Sequence, residues 1–352
     1  MSLLRPDLQD IPPYVRPASE AAARGKARLH MNEAAADWPP QAREALLARL
    51  ATLPFRCYPE RQAELTERLR KRLGAPEGGL VMGPSSGALL DLAALACLSP
   101  GDAVACPDPG FSLYRLIVAR HRGRLRQVPV GTGFPLEPWF EALEAGARQL
   151  WITLPNNPTG AWLSPAELEP LLAAAARRPD PPLVVIDEAY AEFAPLTHRL
   201  SVDRYPNVLL LRTFSKALAC AGWRLGYLLG SPELASRLAA LQLPYAIPSP
   251  SLEALDVALD FAGCFDREVR AIVDRRERFS GGLGNHEAPA SSANFLYVAP
   301  DPAPAMAEAG LLARSFSGGD VARVSIGSED EVRRASEALG GSLAPGGERS
   351  RR

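Results

Sequence analysis

A lysine, an arginine and two hydroxyl side chains lie close together in the middle of the chain. Lys216 ends the segment Thr213-Phe214-Ser215-Lys216, which follows the apolar run Val208–Leu211, and Arg224 comes eight residues after it. A lysine amine is nucleophilic once it is desolvated or placed near other cations, and a guanidinium is well shaped for phosphate. An isolated lysine is usually a solvated charge, so only this context indicates covalent chemistry beside an anion site.

Two further polar segments follow predicted strands. They are Asp187-Glu188-Ala189-Tyr190 and Pro155-Asn156-Asn157-Pro158-Thr159-Gly160. Asp187 comes directly after the apolar run Leu183–Ile186, where a carboxylate can face a positively charged ligand nitrogen. Taken alone, Asp187 is better explained as the cap of a following helix, which is a frequent use of aspartate after a strand.

A third polar segment, Gly83-Pro84-Ser85-Ser86-Gly87, precedes the predicted helix Leu89–Leu98. The N-terminus of a helix offers free N–H groups and a favourable dipole to an anion. Ordinary capping explains Ser85 and Ser86 equally well, and capping and phosphate binding can coexist.

Short apolar runs that alternate with helical patterns position these segments. This alternation predicts a largely parallel sheet covered by helices on both faces, with ligands bound beyond the carboxyl ends of its strands. The predicted strands are Ala103–Cys106, Leu150–Leu154, Leu183–Ile186, Val208–Leu211 and Leu225–Leu229, and the helices between the earlier ones are Leu89–Leu98, Ser112–His121 and Pro165–Ala176.

The pattern changes near Pro250, where we predict a smaller α+β domain. It contains one long helix over Leu252–Arg278, strands near Asn294–Val298 and Arg323–Ile326, and a last helix over Glu329–Leu339. The predicted division is an N-terminal arm over residues 1–30, a large α/β domain over 31–250, a small domain over 251–340 and a disordered tail over 341–352.

Composition excludes several classes of protein. The 352 residues carry 39 Lys+Arg and 40 Asp+Glu, so no global charge favours nucleic acid or an anionic membrane. Five cysteines without CxxC spacing predict neither a metal site nor a disulfide framework. The N-terminus lacks the apolar core of a signal peptide and no run reaches the length of a membrane span, so we expect a cytoplasmic protein.

The segments above, in this order and together with Gly222-Trp223-Arg224-Leu225-Gly226, resemble the cofactor-binding set of fold-type-I aminotransferases that use pyridoxal 5'-phosphate (PLP). More narrowly, they resemble histidinol-phosphate aminotransferases. The resemblance implies that Lys216 holds PLP as a Schiff base and later moves a proton from the substrate Cα. It implies that Asp187 faces the pyridine nitrogen, because PLP withdraws electrons only while that nitrogen stays protonated.

The resemblance also assigns the other cofactor contacts. Asn157 and Tyr190 would hydrogen-bond the phenolic oxygen of PLP, and Tyr114 would stack on its ring, although Tyr114 could equally be a core tyrosine. Tyr58 would reach the cofactor phosphate of a partner subunit, which implies a homodimer with shared sites. The remaining contacts to the phosphate would come from Ser85, Ser86, Thr213, Ser215 and Arg224.

Substrate contacts are implied at Tyr14, Asn32, Arg314 and Arg323. Two arginines and a tyrosine suit a phosphate better than a lone carboxylate. The implied reaction converts histidinol phosphate and 2-oxoglutarate to imidazole acetol phosphate and glutamate, a step of histidine biosynthesis. The chain departs from the family at Ala34-Ala35, where Asn-Pro is usual, and at Ser86-Gly87, where an acidic pair is usual.

Other readings remain. An aromatic amino acid aminotransferase or a threonine-phosphate-type PLP decarboxylase would share the same cofactor residues. A dinucleotide-dependent oxidoreductase would share the sheet, but no GxGxxG opens a helix after the first strand. An inactive binding protein of the same fold would be expected to lose Lys216 or Asp187, and both are present.

Overall fold

The computed structural model describes residues 25–316 and 318–345, together with Leu8 and Ile11. The predicted arm before residue 25 therefore lies outside the described residues apart from these two positions, as does the predicted tail after residue 345. Residues 341–345 are packed against the body, since Arg278 donates a hydrogen bond to the carbonyl of Ala344 at 3.0 Å.

A seven-stranded sheet forms the centre of the chain, in the order β2-β8-β7-β6-β5-β3-β4. The five strands from β4 to β7 are mutually parallel, whereas β8 runs antiparallel to both of its neighbours. The strands are β2 (Leu80–Gly83), β3 (Ala103–Asp108), β4 (Arg124–Pro129), β5 (Gln149–Thr153), β6 (Leu183–Asp187), β7 (Val208–Thr213) and β8 (Gly226–Leu229).

Alternation along the buried strands builds a core on each face of this sheet. In β6, Val184 and Ile186 join one apolar cluster and Val185 joins the other. Successive side chains of a strand point to opposite faces, so a continuous apolar run requires helices on both sides. The predicted α/β fold is confirmed.

Twelve α-helices are present in the part of the chain that the structure describes. They are α1 (Pro40–Thr52), α2 (Gln62–Leu73), α3 (Ser86–Cys97), α4 (Leu113–Arg120), α5 (Glu137–Glu144), α6 (Pro165–Ala176), α7 (Ser201–Arg204), α8 (Pro232–Leu241), α9 (Ser249–Asp260), α10 (Ala262–Ser280), α11 (Ala303–Glu308) and α12 (Glu329–Ala338). Among these helices there is none with the length and apolar character needed to cross a membrane.

The single long helix predicted over Leu252–Arg278 is wrong. The chain turns at Phe261, whose φ of −97° and ψ of 15° end α9 and begin α10. α9 contributes Leu255 to the core of the large sheet, whereas α10 contributes Phe265 to that core and Ile272 to a third apolar cluster.

The third cluster lies under a small sheet in the order β11-β12-β9. Its strands are β9 (Phe295–Val298), β11 (Arg314–Ser315) and β12 (Ala322–Ser325). A separate pair joins β1 (Ala27–Arg28) to β10 (Leu311–Leu312) in parallel, so the last residues of the predicted arm belong to this part of the fold.

Candidate active site

The site lies at the carboxyl ends of β5, β6 and β7. Thr153 pairs with Asp187 across β5 and β6, and Asp187 pairs with Leu211 across β6 and β7. A cavity of about 680 Å³ opens there. Its lining includes Asn32, Ser85, Ser86, Asn157, Asp187, Tyr190, Thr213, Ser215, Lys216, Arg224, Arg314 and Arg323. The structure therefore gathers twelve of the predicted site residues around one space.

Asp187 is the buried carboxylate of the site, with 6% of its surface exposed. Burial raises its pKa to about 6, and hydrogen bonds oppose that rise. Its Oδ2 accepts a hydrogen bond from the Tyr114 hydroxyl at 2.7 Å, and its Oδ1 accepts from the N–H of Ala189 at 3.1 Å. The capping alternative thus accounts for only one of its oxygens, and the side chain still lines the cavity.

Lys216 is one of three lysines in the sequence and lines the same cavity as Asp187. Its Nζ donates to the carbonyl oxygen of Met31 at 3.0 Å. Burial, together with the charges of Arg323 and Arg224 and against the opposing effect of Glu33, lowers the pKa of Lys216 to about 7. The amine is therefore substantially neutral near neutral pH, as a nucleophile or a general base requires.

Tyr190 receives two amide donors on one phenolic oxygen. Asn32 Nδ2 donates to it at 3.0 Å and Asn157 Nδ2 at 3.3 Å. A tyrosine hydroxyl has one proton and two acceptor positions, so both lone pairs are occupied and the proton of Tyr190 can be given to a ligand oxygen. Burial raises the pKa of Tyr190, which keeps that proton in place.

An anion cup lies at the other end of the cavity, where α3 begins beside β7 and β8. Ser85 has a φ of 125° and caps α3 by accepting from the N–H of Ala88 at 3.1 Å. A Cβ on Gly226 would lie 2.6 Å from the N of Ser86, so only glycine allows β8 to approach the start of α3 this closely. Arg224 adds the cation, from a backbone with a φ of 51°.

Two hydroxyls complete the cup. Thr213 Oγ1 donates to Ser215 Oγ at 2.9 Å and accepts from the N–H of Ser215 at 3.1 Å. The free helix N–H groups, the hydroxyls and a guanidinium are the donors that a phosphate requires.

Arg314 and Arg323 form the wall contributed by the small sheet. They are paired across β11 and β12, which places both side chains on the same face. Arg323 is buried and donates to Asn157 Oδ1 at 2.6 Å and to the carbonyl of His30 at 2.8 Å. Arg314 lies over the ring of Phe316, with its guanidinium carbon 5.5 Å from the ring centre.

A second cavity of about 460 Å³ adjoins the first. Phe111, Asn157, Arg314 and Arg323 line both cavities. The space extends outward to Arg115 and is flanked by Tyr297. A ligand at the first cavity could therefore extend its distal part into the second, past the two arginines of the small sheet.

The sequence position of Tyr114 predicts a ring stacked on the cofactor, but in the structure Tyr114 contacts the site through its hydroxyl. Its ring is buried beneath the larger cavity, edge-on to Trp151, while its hydroxyl contacts Asp187. The aromatic ring that lines the larger cavity is Phe111, in the loop before α4. The sequence could have indicated Phe111 as the cavity residue. Phe111 precedes the helix start at Leu113 and so lies at the strand ends, whereas Tyr114 faces the sheet.

One further described residue of the predicted set, Tyr58, does not line this cavity. Tyr14 lies outside the described residues. Tyr58 is 74% exposed and stacks on Tyr245 with 4.5 Å between ring centres, away from the cavity lining of its own chain. Thr153, which the sequence analysis did not single out, lines the cavity and contacts Tyr114.

The donor set fits PLP. A buried carboxylate suits a protonated ring nitrogen, a tyrosine with a free proton suits a phenolic oxygen, and the cup around Arg224 suits a phosphate. A buried lysine with a pKa lowered to about 7 suits the aldehyde.

Comparison with known proteins agrees with this geometry. The family described as aminotransferase class I and II matches residues 24–339. A histidinol-phosphate aminotransferase of Symbiobacterium thermophilum is 34% identical, covering 98% of this chain and 100% of the relative. An aromatic amino acid aminotransferase of Nocardia farcinica is 32% identical, covering 93% and 94%. The crystal structure of histidinol-phosphate aminotransferase from Sinorhizobium meliloti, in complex with pyridoxal-5'-phosphate, has a TM-score of 0.84 and 25% identity, covering 96% of this chain and 97% of that one.

Fold and site together define a PLP-dependent aminotransferase, and the predicted enzyme class and cofactor are confirmed. The chain belongs to the aminotransferase class I and II family.

Proposed function

We propose that this enzyme transfers the amino group of histidinol phosphate to 2-oxoglutarate. The observation that carries the proposal is the pairing of Arg314 with Arg323 on one face of the small sheet, where both line the cavity. Two guanidinium forks match the several oxygens of a phosphate better than they match one carboxylate. The similarity to the Symbiobacterium enzyme, which bears that name, supports the same substrate.

In this proposal Asp187 holds the pyridine nitrogen of PLP, and Tyr190 and Asn157 hold its phenolic oxygen. Arg224 and the cup around it hold the phosphate, and Phe111 supplies the ring beside the cofactor. PLP supplies an electron sink for the bond that breaks at the substrate Cα. Lys216 binds the cofactor and then takes the Cα proton on Nζ, a task that suits an amine with a pKa of about 7.

Substrate binding falls to the residues of the small sheet and of the segment before α1. Arg323 would hold the phosphate of the donor or the α-carboxylate of the acceptor, and Arg314 would add a second fork to the phosphate. Asn32 is held for this role by Ser325, whose Oγ accepts from its backbone N–H at 2.9 Å. Tyr14 is proposed as a further phosphate contact.

A second candidate is the transamination of aromatic amino acids. The 32% identity to the Nocardia enzyme of that name favours it, and the second cavity, which Phe111 and Tyr297 line, would accept an aromatic side chain. A threonine-phosphate-type decarboxylase remains the other alternative, because it would use the same cofactor residues.

The deciding experiment is a single half-reaction. Purified enzyme with bound PLP is mixed with histidinol phosphate, L-phenylalanine or L-glutamate without any 2-oxo acid, and the visible absorbance of PLP is followed. Loss of that absorbance with histidinol phosphate and with glutamate supports the proposal. Conversion with phenylalanine but not with histidinol phosphate supports the aromatic alternative, and release of CO₂ from threonine phosphate supports the decarboxylase. Lys216→Ala is the control, because it should respond to none of them.

We also propose a homodimer in which Tyr58 reaches the partner's cofactor phosphate. Large apolar side chains near Tyr58 are exposed in the single chain: Phe55 is 86%, Leu243 79% and Tyr245 57% exposed. Exposed apolar groups of this kind typically mark a protein interface. A cytoplasmic location is proposed with it, and fractionation of cells would test that location.

Mixed dimers test the shared site. If Tyr58 acts across the interface, Lys216→Ala and Tyr58→Ala subunits should regain activity on mixing, because one of the two sites in each hybrid is then intact. Lys216→Ala mixed with Asp187→Ala is the matched control and should regain none, since both residues belong to the same subunit. No regain of activity in the Lys216→Ala and Tyr58→Ala pair would contradict the role of Tyr58 across the interface, and an active monomer by light scattering would contradict the dimer.

A further inference from the structure

The Tyr114 hydroxyl lies between two buried polar groups of the sheet. It is 2.7 Å from Asp187 Oδ2 and 2.7 Å from Thr153 Oγ1. Tyr114 is 2% exposed and Thr153 1% exposed, so water does not compete for either contact. The three side chains form one short hydrogen-bonded chain that ends at the cavity.

The direction of this chain is fixed by the carboxylate. An ionised Asp187 can only accept, so the single proton of Tyr114 must go to it. Thr153 must then donate its own proton to the Tyr114 oxygen. The polarity runs from Thr153 through Tyr114 to Asp187, and each donor strengthens the next hydrogen bond in the series.

Packing of the Tyr114 ring restricts its rotation and so maintains these two hydrogen bonds. The ring packs edge-on against Trp151, with ring centres 5.4 Å apart, and against Phe111, with centres 5.6 Å apart. Trp151 is itself tied by a hydrogen bond from its Nε1 to Gln149 Oε1 at 2.7 Å. Tyr114 therefore supports both Asp187 and the aromatic ring on the cavity wall.

We propose that Tyr114, oriented by Thr153, is a positioning residue that keeps Asp187 ionised and aimed at the pyridine nitrogen of PLP. This proposal rests on the role of Asp187 proposed above. A carboxylate that receives a hydrogen bond is less basic, so the shared proton stays on the ring nitrogen. Without that donor, in a buried site, the proton passes to the carboxylate and the electron sink weakens.

The test uses Tyr114→Phe, which keeps the ring and removes only the hydroxyl. The readout is the ¹⁵N chemical shift of PLP labelled at the pyridine nitrogen, bound to the enzyme without substrate. We expect the shift to move toward its unprotonated value, and we expect kcat to fall about tenfold with the KM of the amino donor unchanged. A merely structural role would not move the nitrogen signal.

Tyr205→Phe is the matched control. It also removes a tyrosine hydroxyl that donates to a carboxylate, that of Glu169, but at a place away from the cavity. Its ¹⁵N signal should equal that of the wild type. If Tyr114→Phe also equals the wild type, the proposal is overturned.

A second pair of variants keeps the test decisive if Tyr114→Phe does not fold. Thr153→Val removes the first donor at nearly constant volume, and Thr153→Ser restores it. We expect a smaller movement of the ¹⁵N signal in the same direction for Val and recovery for Ser; no movement for Val would overturn the proposal. Asp187→Asn distinguishes a failure of this proposal from a failure of the proposed role of Asp187. An unchanged ¹⁵N signal in Asp187→Asn would contradict the role of Asp187 itself. A changed signal in Asp187→Asn but not in Tyr114→Phe would contradict only the role of Tyr114.

Discussion

Arg323 Nη1 donates to Asn157 Oδ1 at 2.6 Å, and Nδ2 of the same amide donates to Tyr190 at 3.3 Å. The amide thus joins an arginine of the small sheet to a tyrosine in the segment that follows β6, and its orientation is set from both sides. An anion that binds Arg323 competes with the amide oxygen for the same guanidinium. If a substrate anion binds Arg323 as proposed, its binding is coupled to Asn157 and Tyr190, the proposed contacts to the phenolic oxygen of the cofactor.

Arg314→Gln and Arg323→Gln should separate two kinds of substrate. We expect Arg323→Gln to raise KM for both histidinol phosphate and 2-oxoglutarate by about tenfold or more, because a charged hydrogen bond is lost in each complex. Arg314→Gln should raise KM mainly for histidinol phosphate, whose phosphate has oxygens for a second fork. Steady-state kinetics with each substrate measures both effects. Equal effects of Arg314→Gln on the two substrates would contradict the assignment, and exposed Arg237→Gln serves as the control.

Lys216 should carry all of the covalently held PLP. Reduction of the loaded enzyme with borohydride, followed by peptide mass spectrometry, should find the adduct on Lys216 and on neither Lys26 nor Lys71. Lys216→Ala should keep its fold by circular dichroism and lose both the visible absorbance and turnover. Lys71→Ala removes an exposed lysine paired with Glu67 and should behave as the wild type. A coloured, active Lys216→Ala enzyme would refute the assignment.

The capture of PLP by the cofactor-free enzyme should depend on pH with a midpoint near 7. Burial, aided by Arg323, lowers the pKa of Lys216 from 10.5 to about 7. The neutral amine is the nucleophile, so the capture rate should rise between pH 6 and 8 and then level, whereas an ordinary lysine would gain rate until above pH 10. Stopped-flow absorbance measures the rate. Arg323→Gln removes a neighbouring positive charge and should move the midpoint upward; a midpoint above 9 in the wild type would contradict this account.

Asp187 and Glu188 are adjacent buried carboxylates, and we expect substitution of the first to affect turnover and substitution of the second to affect stability. Asp187→Asn should retain PLP and nearly abolish turnover, because the ring nitrogen loses its counter-charge. Glu188 accepts from Arg212 Nε at 2.7 Å and from the ring of His198, on the side of β6 away from the cavity. Glu188→Gln should lower the unfolding midpoint while leaving kcat per folded molecule near that of the wild type. Thermal unfolding and kcat, measured on both variants, check the contrast.

The sequence predicted the buried part of the fold and the cofactor end of the site. An apolar run such as Leu183–Ile186 is buried only when helices cover both faces of its strand, so β6 and its neighbours could be predicted from the sequence. The edge strand β4 was missed because only Val128 of its six residues is buried, which leaves no apolar run to read. The turn at Phe261 was missed because it depends on how the two helices pack against the rest of the protein, and that is a property of the whole chain.

Within the site, motif position predicted which side chains face the cavity when they follow a strand directly. It did not distinguish Tyr114 from Phe111, three residues earlier in the same segment, of which only Phe111 lines the larger cavity. The contact of Thr153 with Tyr114 joins residues 39 positions apart, and no local sequence pattern predicts a contact over that separation.

The contact between Asn32 and Ser325 spans 293 positions, and Lys216 meets Met31 across 185. As the chain leaves the ribosome, the segment before α1 cannot complete these contacts until residues up to Ser325 have been synthesised. The large sheet can form earlier, because its strands lie between Leu80 and Leu229. A nascent or prematurely terminated chain that already has Lys216 and Asp187 therefore still lacks Arg314 and Arg323, the proposed substrate contacts.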